Sequence, residues 1–264
     1  MGCSLCYKLV AKCVIFGLIL KLLLSRVIQN DFGFPILGEN LSQEQDLLYR
    51  HCKTPFNVAL TFDDNPDDTL PELLKLLGKY NATATFFPNA PYHFERWDLE
   101  KHVRAIHANG HQIGDHTWDH LDITTVDETR ALLDINRMNS WLNYTLGIRS
   151  SYVRPPYGEC LRKCQESLDR NGFKAVRWSL DTFDWQNPLS DTANASLEIL
   201  ESWISAQDKL PEDERTGPIV LMHARLHSTI KVIVPTLLEA LSARGYRFVS
   251  VAECLGYGKE DWYY

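Results

Sequence analysis

Short apolar runs rich in β-forming residues alternate with segments of helical periodicity along most of this sequence. We predict strands at 58–62, 82–87, 112–114, 151–154, 174–180, 219–222 and 247–250, and helices at 70–80, 97–109, 126–142, 160–171, 194–206 and 229–244. Strands that alternate with helices form a mostly parallel sheet whose faces the helices cover. Because about seven or eight strand–helix repeats are present, we predict an α/β fold, a distorted (β/α) barrel rather than an open sheet.

One domain is predicted, at residues 52–256. An N-terminal extension at 27–51 precedes it, and a C-terminal tail at 257–264 follows it. The sequence contains neither an internal repeat nor a low-complexity segment. A chain of 264 residues, of which 45% are hydrophobic, is long enough to bury a sizeable core.

Residues 1–26 resemble a signal peptide or signal anchor. Lys8 and Lys12 precede an apolar run at 13–24, which Lys21 interrupts. A basic start before a short apolar core is typical of a secretory signal. A membrane-spanning anchor needs about 18–20 apolar residues, and this run is shorter. We therefore expect a protein that is secreted or held in the cell wall, with a retained membrane anchor as the alternative.

The cysteines and the glycosylation sequons agree with secretion. Outside the signal segment the cysteines form an even set, Cys52, Cys160, Cys164 and Cys254. Cys160 and Cys164 are close enough to pair locally, and Cys52 and Cys254 would then join the two ends of the domain. The alternative is a set of free buried thiols in a reducing compartment. The sequons are at Asn40, Asn81, Asn143 and Asn194.

The charge balance limits the kinds of partner. The formal net charge is −7 and no basic stripe is visible, which argues against binding to nucleic acid. An acidic chain is compatible with an extracellular protein that acts on a neutral polysaccharide. We expect a monomer that contacts a membrane only if its N-terminal segment is retained.

The apolar run at 58–62 ends in two adjacent carboxylates, Asp63 and Asp64. Adjacent residues on a strand point to opposite faces, so both acids can serve one site only where the strand ends. Acids at the carboxyl end of a strand are typical of α/β active sites. The alternative is structural, with the acidic turn at 65–69 capping the helix that follows.

Ionisable residues follow the other predicted strands as well. The carboxyl ends of the strands in a βα-barrel converge on one face, so these residues are expected to share a site. They are too numerous for a structural rim. The set consists of Asp63, Asp64, His116, His120, Arg154 with Tyr157, Asp181, Asp184 and His223.

His116 and His120 have the spacing of metal ligands. Two histidines four residues apart lie on one side of a helical turn and can share a tetrahedral zinc. The same spacing occurs at His107/His111 and His223/His227, so the place of each pair in the predicted fold must decide which of them binds a metal. His107 belongs to a predicted surface helix, and we expect its pair to bind nothing.

A catalytic zinc takes three protein ligands and leaves one position for water. The two histidines with either Asp63 or Asp64 would supply the ligands, and the other carboxylate would act as general base. Arg154 could orient that base through a bidentate pair. His223 is the candidate acid for the leaving group, and Asp181 behind it would favour the protonated ring. The parts of a hydrolase are therefore all present.

Five ordered segments resemble the motifs of the polysaccharide deacetylase family, which has the NodB-type fold and includes the chitin deacetylases. They are TFDD at 61–64, HTWDH at 116–120, RPPYG at 154–158, DTFDW at 181–185 and LMH at 221–223. The resemblance extends over roughly 52–256 and is greatest to fungal chitin deacetylases. It implies the distorted βα-barrel that the alternation of elements also predicts.

The resemblance implies a chemistry for the site. Asp63 would be the general base, Arg154 would orient it, and the backbone N–H of Tyr157 would stabilise the oxyanion. The cofactor would be a divalent metal, zinc with cobalt as the alternative. Its ligands would be Asp64, His116 and His120.

The resemblance also implies how the substrate is held and released. Trp185 and Leu221 would line a pocket for the acetyl methyl group. His223 would be the general acid, supported by Asp181. The chain would then release acetate from an acetylated sugar.

Two residues depart from the usual pattern of the family. Asn65 stands where the family usually has Gly, and Asn tolerates a positive φ better than most residues. Ala224 stands where an Asp often follows the motif histidine. These departures bear on activity rather than on the fold.

The favoured interpretation is a secreted, metal-dependent N-deacetylase that acts on chitin or a related polymer of N-acetylglucosamine. One alternative is an O-deacetylase that acts on acetylated xylan with the same residues. Another is a carbohydrate-binding protein with this fold and little turnover, which the complete Asp/His/His set argues against.

Overall fold

The computed structural model describes residues 47–90 and 96–264. The predicted signal at 1–26 and the sequon at Asn40 lie outside the described residues, as does most of the predicted extension. Within the described ranges, none of the helices combines the length and the apolar character needed to cross a membrane.

The described strands and helices follow the predicted alternation. The strands are β1 (His51–Cys52), β2 (Asn57–Asp63), β3 (Thr85–Phe87), β4 (Gln112–Ile113), β5 (Tyr152–Val153), β6 (Lys174–Ala175), β7 (Leu180–Asp181), β8 (Gly217–His223) and β9 (Arg247–Phe248). The α-helices are α1 (Leu70–Lys79), α2 (Arg96–Ala108), α3 (Glu128–Leu146), α4 (Arg162–Arg170), α5 (Asn194–Asp208), α6 (Val234–Ser242) and α7 (Val251–Cys254). Short 3₁₀ turns connect several of them, including Pro156–Gly158 and Asp184–Gln186.

Strand β2 lies in the middle of the sheet. It pairs in parallel with β3 and β8, while β4 pairs with β3 and β7 pairs with β8. Strands β5 and β6 form a second parallel pair, and a bridge between Asp115 and Val153 joins this pair to the end of β4. The order is therefore β7-β8-β2-β3-β4-β5-β6, with a break between β6 and β7. The predicted α/β class and distorted barrel are confirmed.

The two faces of β2 have different surroundings. Leu60 and Phe62 pack in the largest core cluster, which is rich in helical residues. Ala59 packs instead with Ile219 in a separate cluster on the opposite face. Because side chains alternate along a strand, Asp63 shares the face of Ala59. The strand thus carries an acid on that face at its carboxyl end.

The structure differs from the prediction at 174–180, where one strand was expected. Two strands, β6 and β7, are separated by residues 176–179. Tyr49 takes the backbone hydrogen bonds here: its N–H donates to Ala175 O at 2.9 Å, and its carbonyl accepts from Arg177 N at 2.8 Å. Tyr49 thus occupies the edge of β6 that does not pair with β5, and the barrel is open between β6 and β7.

The helix predicted at 229–244 begins with a wider turn. Residues Thr229–Ile233 form a π-helix, and α6 follows with Pro235 in its first turn. Proline has no N–H to donate to the preceding turn, so a regular α-helix cannot continue through this position. The helix is therefore irregular in its first turns, while the loop between it and β8 is no longer than the sequence pattern predicts.

The two ends of the described chain pack on the sheet. Strand β1, which was not predicted, pairs in antiparallel fashion with the start of β8. Leu48 is buried in the cluster of Ile123 and Leu168, and Trp262 is buried beside Val249 in another. Core contacts thus reach beyond the predicted limits of 52–256 at both ends.

Both predicted disulfides are present. Cys52 bonds to Cys254 across 202 residues, and Cys160 bonds to Cys164 across 4 residues. The first attaches β1 to α7, and the second lies at the start of α4. Because a disulfide restricts the unfolded chain more strongly when its loop is long, the two bonds differ in their expected contribution to stability.

Replacing Cys52 and Cys254 together by Ser is expected to lower the free energy of unfolding by roughly 3–5 kcal/mol. The matched control replaces Cys160 and Cys164 by Ser and is expected to cost about 2 kcal/mol or less, because its loop is short. Equilibrium denaturation under non-reducing conditions measures both. Equal losses in the two double variants would contradict this expectation.

Candidate active site

Asp63 and Arg154 form a buried ion pair at the carboxyl end of β2. Arg154 Nη1 donates to Asp63 Oδ1 at 2.7 Å and to Thr61 Oγ1 at 2.7 Å. The guanidinium is fully buried and lies 4.3 Å from the centroid of the Phe87 ring. Held by these contacts, a planar guanidinium fixes the orientation of the carboxylate that it pairs with. The predicted contact is present as one hydrogen bond, not as the bidentate pair that was expected, because Nη2 donates to the carbonyl of Arg177 instead.

Asp64 turns away from the strand that delivers it. Its φ is 65°, in the left-handed region, so the chain bends sharply where β2 ends. Asn65 was the residue expected to tolerate a positive φ, but the residue that adopts one is Asp64. Asn89 Nδ2 donates to Asp64 Oδ1 at 2.7 Å, and Arg225 Nη2 donates to Asp64 Oδ2 at 2.9 Å. This bend allows two adjacent carboxylates to serve one site.

His116 and His120 lie in the loop after β4. The φ values of Thr117 (64°) and His120 (52°) are positive, so the segment is a tight loop and not the helical turn that the spacing suggests. His116 Nδ1 is 2.7 Å from Arg154 O, which accepts its proton and leaves Nε2 with the free lone pair. His120 Nε2 is 3.7 Å from Asp64 Oδ1.

The residues predicted as metal ligands meet. One ligand atom from each of Asp64, His116 and His120 lies within 4.8 Å of the other two, the one such group in the part of the chain that the structure describes. Burial and the neighbouring His116 lower the pKa of His120, which favours the neutral imidazole that binds a metal. Two imidazoles and a carboxylate are a donor set of catalytic zinc sites. The residues present therefore fit a divalent metal.

Two buried carboxylates support the histidine loop, and neither was predicted as a site residue. Asp115 accepts from the N–H of Thr117 at 2.8 Å. Asp134, on α3, accepts from the N–H groups of Trp118 at 3.1 Å and Asp119 at 2.9 Å. Hydrogen bonds to a ligand-bearing loop orient its ligands. No motif in the sequence marks Asp134, because its contact depends on the packing of α3.

The carboxylate that supports His223 is Asp184, and the prediction that named Asp181 is wrong. Asp184 Oδ1 is 2.8 Å from His223 Nδ1, and Asp184 Oδ2 accepts from the His223 N–H at 2.7 Å and the Thr229 hydroxyl at 2.5 Å. Asp181 accepts instead from the N–H of Phe183 at 2.8 Å. Strand β7 ends at Asp181, and the left-handed φ of Phe183 (51°) turns the next residues towards β8.

The surroundings of His223 favour its protonated form. Burial lowers the pKa of the imidazole, but the hydrogen bond and charge of Asp184, with the charges of Asp63 and Asp64, raise this pKa above its ordinary value. Since Nδ1 donates to Asp184, Nε2 is the atom free to exchange a proton with a substrate. His223 pairs in register with Asp63 on the adjacent strand. A potential acid and a potential base therefore lie at the same end of the sheet.

Comparisons with known proteins identify the family of this chain. The model of the polysaccharide deacetylase family matches residues 50–176. A chitin deacetylase of Colletotrichum lindemuthianum is 32% identical over 214 residues, which are 80% of this chain and 84% of that protein. The chain belongs to the polysaccharide deacetylase family.

This chain is also similar to a peptidoglycan-N-acetylglucosamine deacetylase of Bacillus cereus. It is 31% identical over 216 residues, which are 78% of this chain and 72% of that protein. The solved structure of the Colletotrichum lindemuthianum chitin deacetylase superposes with a TM-score of 0.73 at 30% identity and covers 81% of this chain and 94% of that one. The predicted NodB-type fold and the predicted class of hydrolase are confirmed.

Three further predicted site residues lie within β8 or in the short turns that follow β5 and β7. Tyr157 has a φ of 61°, and its ring lies 4.8 Å from that of His120, centroid to centroid. Leu221 is buried in β8, while Trp185 is 52% exposed after β7. Their predicted roles, the oxyanion contact and the acetyl pocket, stay predictions.

Neither of the other two histidine pairs with this spacing belongs to a three-ligand group within the described residues. His111 is buried and accepts from the N–H of Ala84 at 3.2 Å, and burial lowers its pKa to about 4. It is therefore a neutral core residue, while its predicted partner His107 lies on the exposed side of α2. Ala224, the second departure from the family pattern, is fully buried in the main core cluster, where an Asp would need new polar partners.

Proposed function

We propose that this protein is a metal-dependent N-deacetylase that hydrolyses the acetamide of N-acetylglucosamine residues in chitin or a related polysaccharide and releases acetate. One observation carries the proposal: a candidate general base and a candidate general acid both lie next to the cluster of predicted metal ligands. The base is Asp63, held by Arg154, and the acid is His223, held by Asp184. The names of the relatives support the same reaction.

Asp63 is proposed to be the general base. Arg154 occupies its Oδ1 atom, and its Oδ2 atom lies 3.7 Å from His116 Nε2, towards the ligand cluster. A water in that position would lose its proton to Asp63 Oδ2 while its oxygen bonds to the acetyl carbon. Because Arg154 keeps Oδ1 engaged, a single oxygen is presented to the water.

Asp64, His116 and His120 are proposed to hold one divalent metal, zinc in the first instance and cobalt as the alternative. When bound, such an ion polarises a carbonyl and makes water easier to deprotonate. The backbone N–H of Tyr157 is proposed to donate to the carbonyl oxygen as it becomes negative. Trp185 and Leu221 are proposed to surround the acetyl methyl group.

His223 is proposed to complete the reaction as general acid. The sugar amine is a poor leaving group until its nitrogen is protonated. The proton of His223 Nε2 would pass to that nitrogen as the C–N bond breaks, leaving acetate and a free amine. Asp184 stabilises the cation that this step requires, since it holds the proton on Nδ1.

The nature of the products tests the reaction. The purified protein, loaded with zinc, is incubated with oligomers of N-acetylglucosamine and, separately, with acetylated xylan. The proposal predicts acetate and free amine in equal amounts from the first substrate. Acetate from xylan alone would make the protein an O-deacetylase, and binding of oligomers without acetate from either would make it a carbohydrate-binding protein.

Replacing His116 by Ala is expected to abolish stoichiometric zinc binding, because one of three ligands is lost from a buried position. Metal content after dialysis against buffered zinc measures the effect. The matched control is His107→Ala, an exposed histidine at the end of α2, which is expected to keep the metal of the parent protein. If His116→Ala bound as much zinc as the parent protein, the assignment of His116 as a metal ligand would be wrong.

We also propose that the protein is exported from the cytoplasm, either secreted or held at the cell surface by residues 1–26. Two disulfides within the domain are typical of an oxidising compartment. The sequon residues Asn81, Asn143 and Asn194 are exposed, so each could carry a glycan. A polysaccharide outside the cell would then be within reach of the site.

A further inference from the structure

Arg225 contacts Asp64, one of the three predicted metal ligands. It is the second residue after His223, in the loop that follows β8. Its Nη2 atom donates to Asp64 Oδ2 at 2.9 Å, while Asn89 occupies Asp64 Oδ1. The arginine side chain is 55% exposed and the Asp64 side chain only 15%. An exposed cation at the surface thus pairs with an acid that is largely buried.

The ion pair between Arg225 and Asp64 is expected to contribute little to the stability of the fold. The arginine end of the pair is exposed, so water screens its charge, and ordering its long side chain costs entropy, which leaves little net stabilisation. Arg154, in contrast, is fully buried and bonds to Asp63, Thr61 and a backbone carbonyl. The two carboxylates of the site therefore have one arginine each, one built into the core and one at the open surface.

The positive charge of Arg225 opposes a metal in two ways. First, its hydrogen bond occupies one oxygen of the only carboxylate among the three ligands, so the guanidinium competes for the lone pairs of Asp64. Second, with Asp63 and Asp64 each paired to an arginine, the carboxylate charge of the site is already balanced before a dication enters. Like charges a few ångströms apart near a protein surface repel, which weakens the binding of the second cation.

We propose that Arg225 is a positioning residue that holds Asp64 in place and sets how weakly the site retains its divalent metal. This inference rests on the proposed function, because it takes Asp64, His116 and His120 as the ligands. In the absence of metal the guanidinium satisfies the Asp64 carboxylate and preserves its position. When a metal binds, the guanidinium of Arg225 either releases the Asp64 oxygen to the metal or stays bonded to it and repels the metal. Either way, metal exchange is faster and affinity lower than the three ligands alone would give.

Zinc affinity of the whole protein tests the inference, measured by competition with a chromogenic chelator. Arg225→Gln is expected to bind zinc on the order of tenfold more tightly than the parent, as expected for removal of one charge close to a dication. Arg225→Lys, which keeps the charge, is expected to stay within a few-fold of the parent. Arg244→Gln removes the same charge from an exposed ion pair with Asp208 and is expected to change nothing.

Each outcome distinguishes the inference from the function on which it rests. Tighter zinc binding in Arg225→Gln, with a melting temperature close to that of the parent, supports it. Equal or weaker zinc binding in that variant overturns it while leaving the metal site intact. A parent protein that binds no zinc overturns both the inference and the proposed metal site.

Discussion

Asp63→Asn is expected to reduce acetate release by on the order of 10³–10⁴ while the protein keeps its metal. The amide cannot accept a proton from water, so attack on the acetyl carbon loses its base. The substitution is otherwise small, because the Asn oxygen can still accept the 2.7 Å hydrogen bond from Arg154. The buried arginine loses its counterion, so some loss of stability accompanies the loss of turnover.

Three measurements on the same preparation separate catalysis from folding: acetate release, zinc content and the melting temperature. The matched control is Asp68→Asn, the same chemical change at an exposed acid in the turn after β2. It is expected to behave as the parent in all three. If Asp63→Asn retained activity near that of the parent, Asp63 would not be the base, and the mechanism would need a different one.

His223→Ala is expected to lower the turnover rate by on the order of 10²–10⁴, because the amine must then leave without a proton from the protein. Zinc content is expected to stay unchanged, since His223 is not among the proposed ligands. His227→Ala is the control, an exposed histidine of the same loop. A variant at His223 that turned over as fast as the parent would remove this residue as the acid.

The pH profile gives the same acid a second, independent test. Asp184 raises the pKa of His223, so the acid stays protonated to a higher pH than an ordinary histidine, and turnover falls as pH rises through that pKa. Asp184→Asn removes the charge that raises it. The alkaline limb should therefore move to lower pH, and Asp181→Asn should move it less. If Asp181→Asn shifted the alkaline limb more than Asp184→Asn did, Asp181 would be the carboxylate that supports His223, as the sequence suggested.

Much of the site could be predicted from sequence because strand β2 is recognisable and ends at two acidic residues. The apolar run before Asp63 and Asp64 identified β2, and both acids lie where it ends. Parallel pairing with β8 then brings His223 beside Asp63. Strands of a parallel barrel bring their carboxyl ends to one face, so motifs far apart in sequence could be assigned to one site.

The choice between Asp181 and Asp184 could not be made in this way. Both acids follow β7 within a few residues, and β7 itself is only Leu180–Asp181. Which one reaches His223 depends on the left-handed turn at Phe183, a residue type that rarely adopts positive φ. Since this residue type disfavours positive φ, the residue pattern gave no sign that the chain turns at Phe183.

Supporting residues in loops were missed for a related reason. Asn89, Asp134 and Arg225 belong to no motif, and each contacts the site through an element whose position depends on packing. Strand β1 was missed because two residues carry no periodicity. Local patterns predicted the residues of the reaction, while the contacts that orient them required the folded chain.

The central claim is that three ligands hold a metal on which deacetylation of N-acetylglucosamine polymers depends. The most direct measurement is acetate release from chitin oligomers by protein stripped with a chelator and then supplied with zinc. The account predicts that stripped protein releases almost no acetate and that about one equivalent of zinc restores release in the parent, but not in His116→Ala. Undiminished acetate release by protein shown to contain no metal would contradict it.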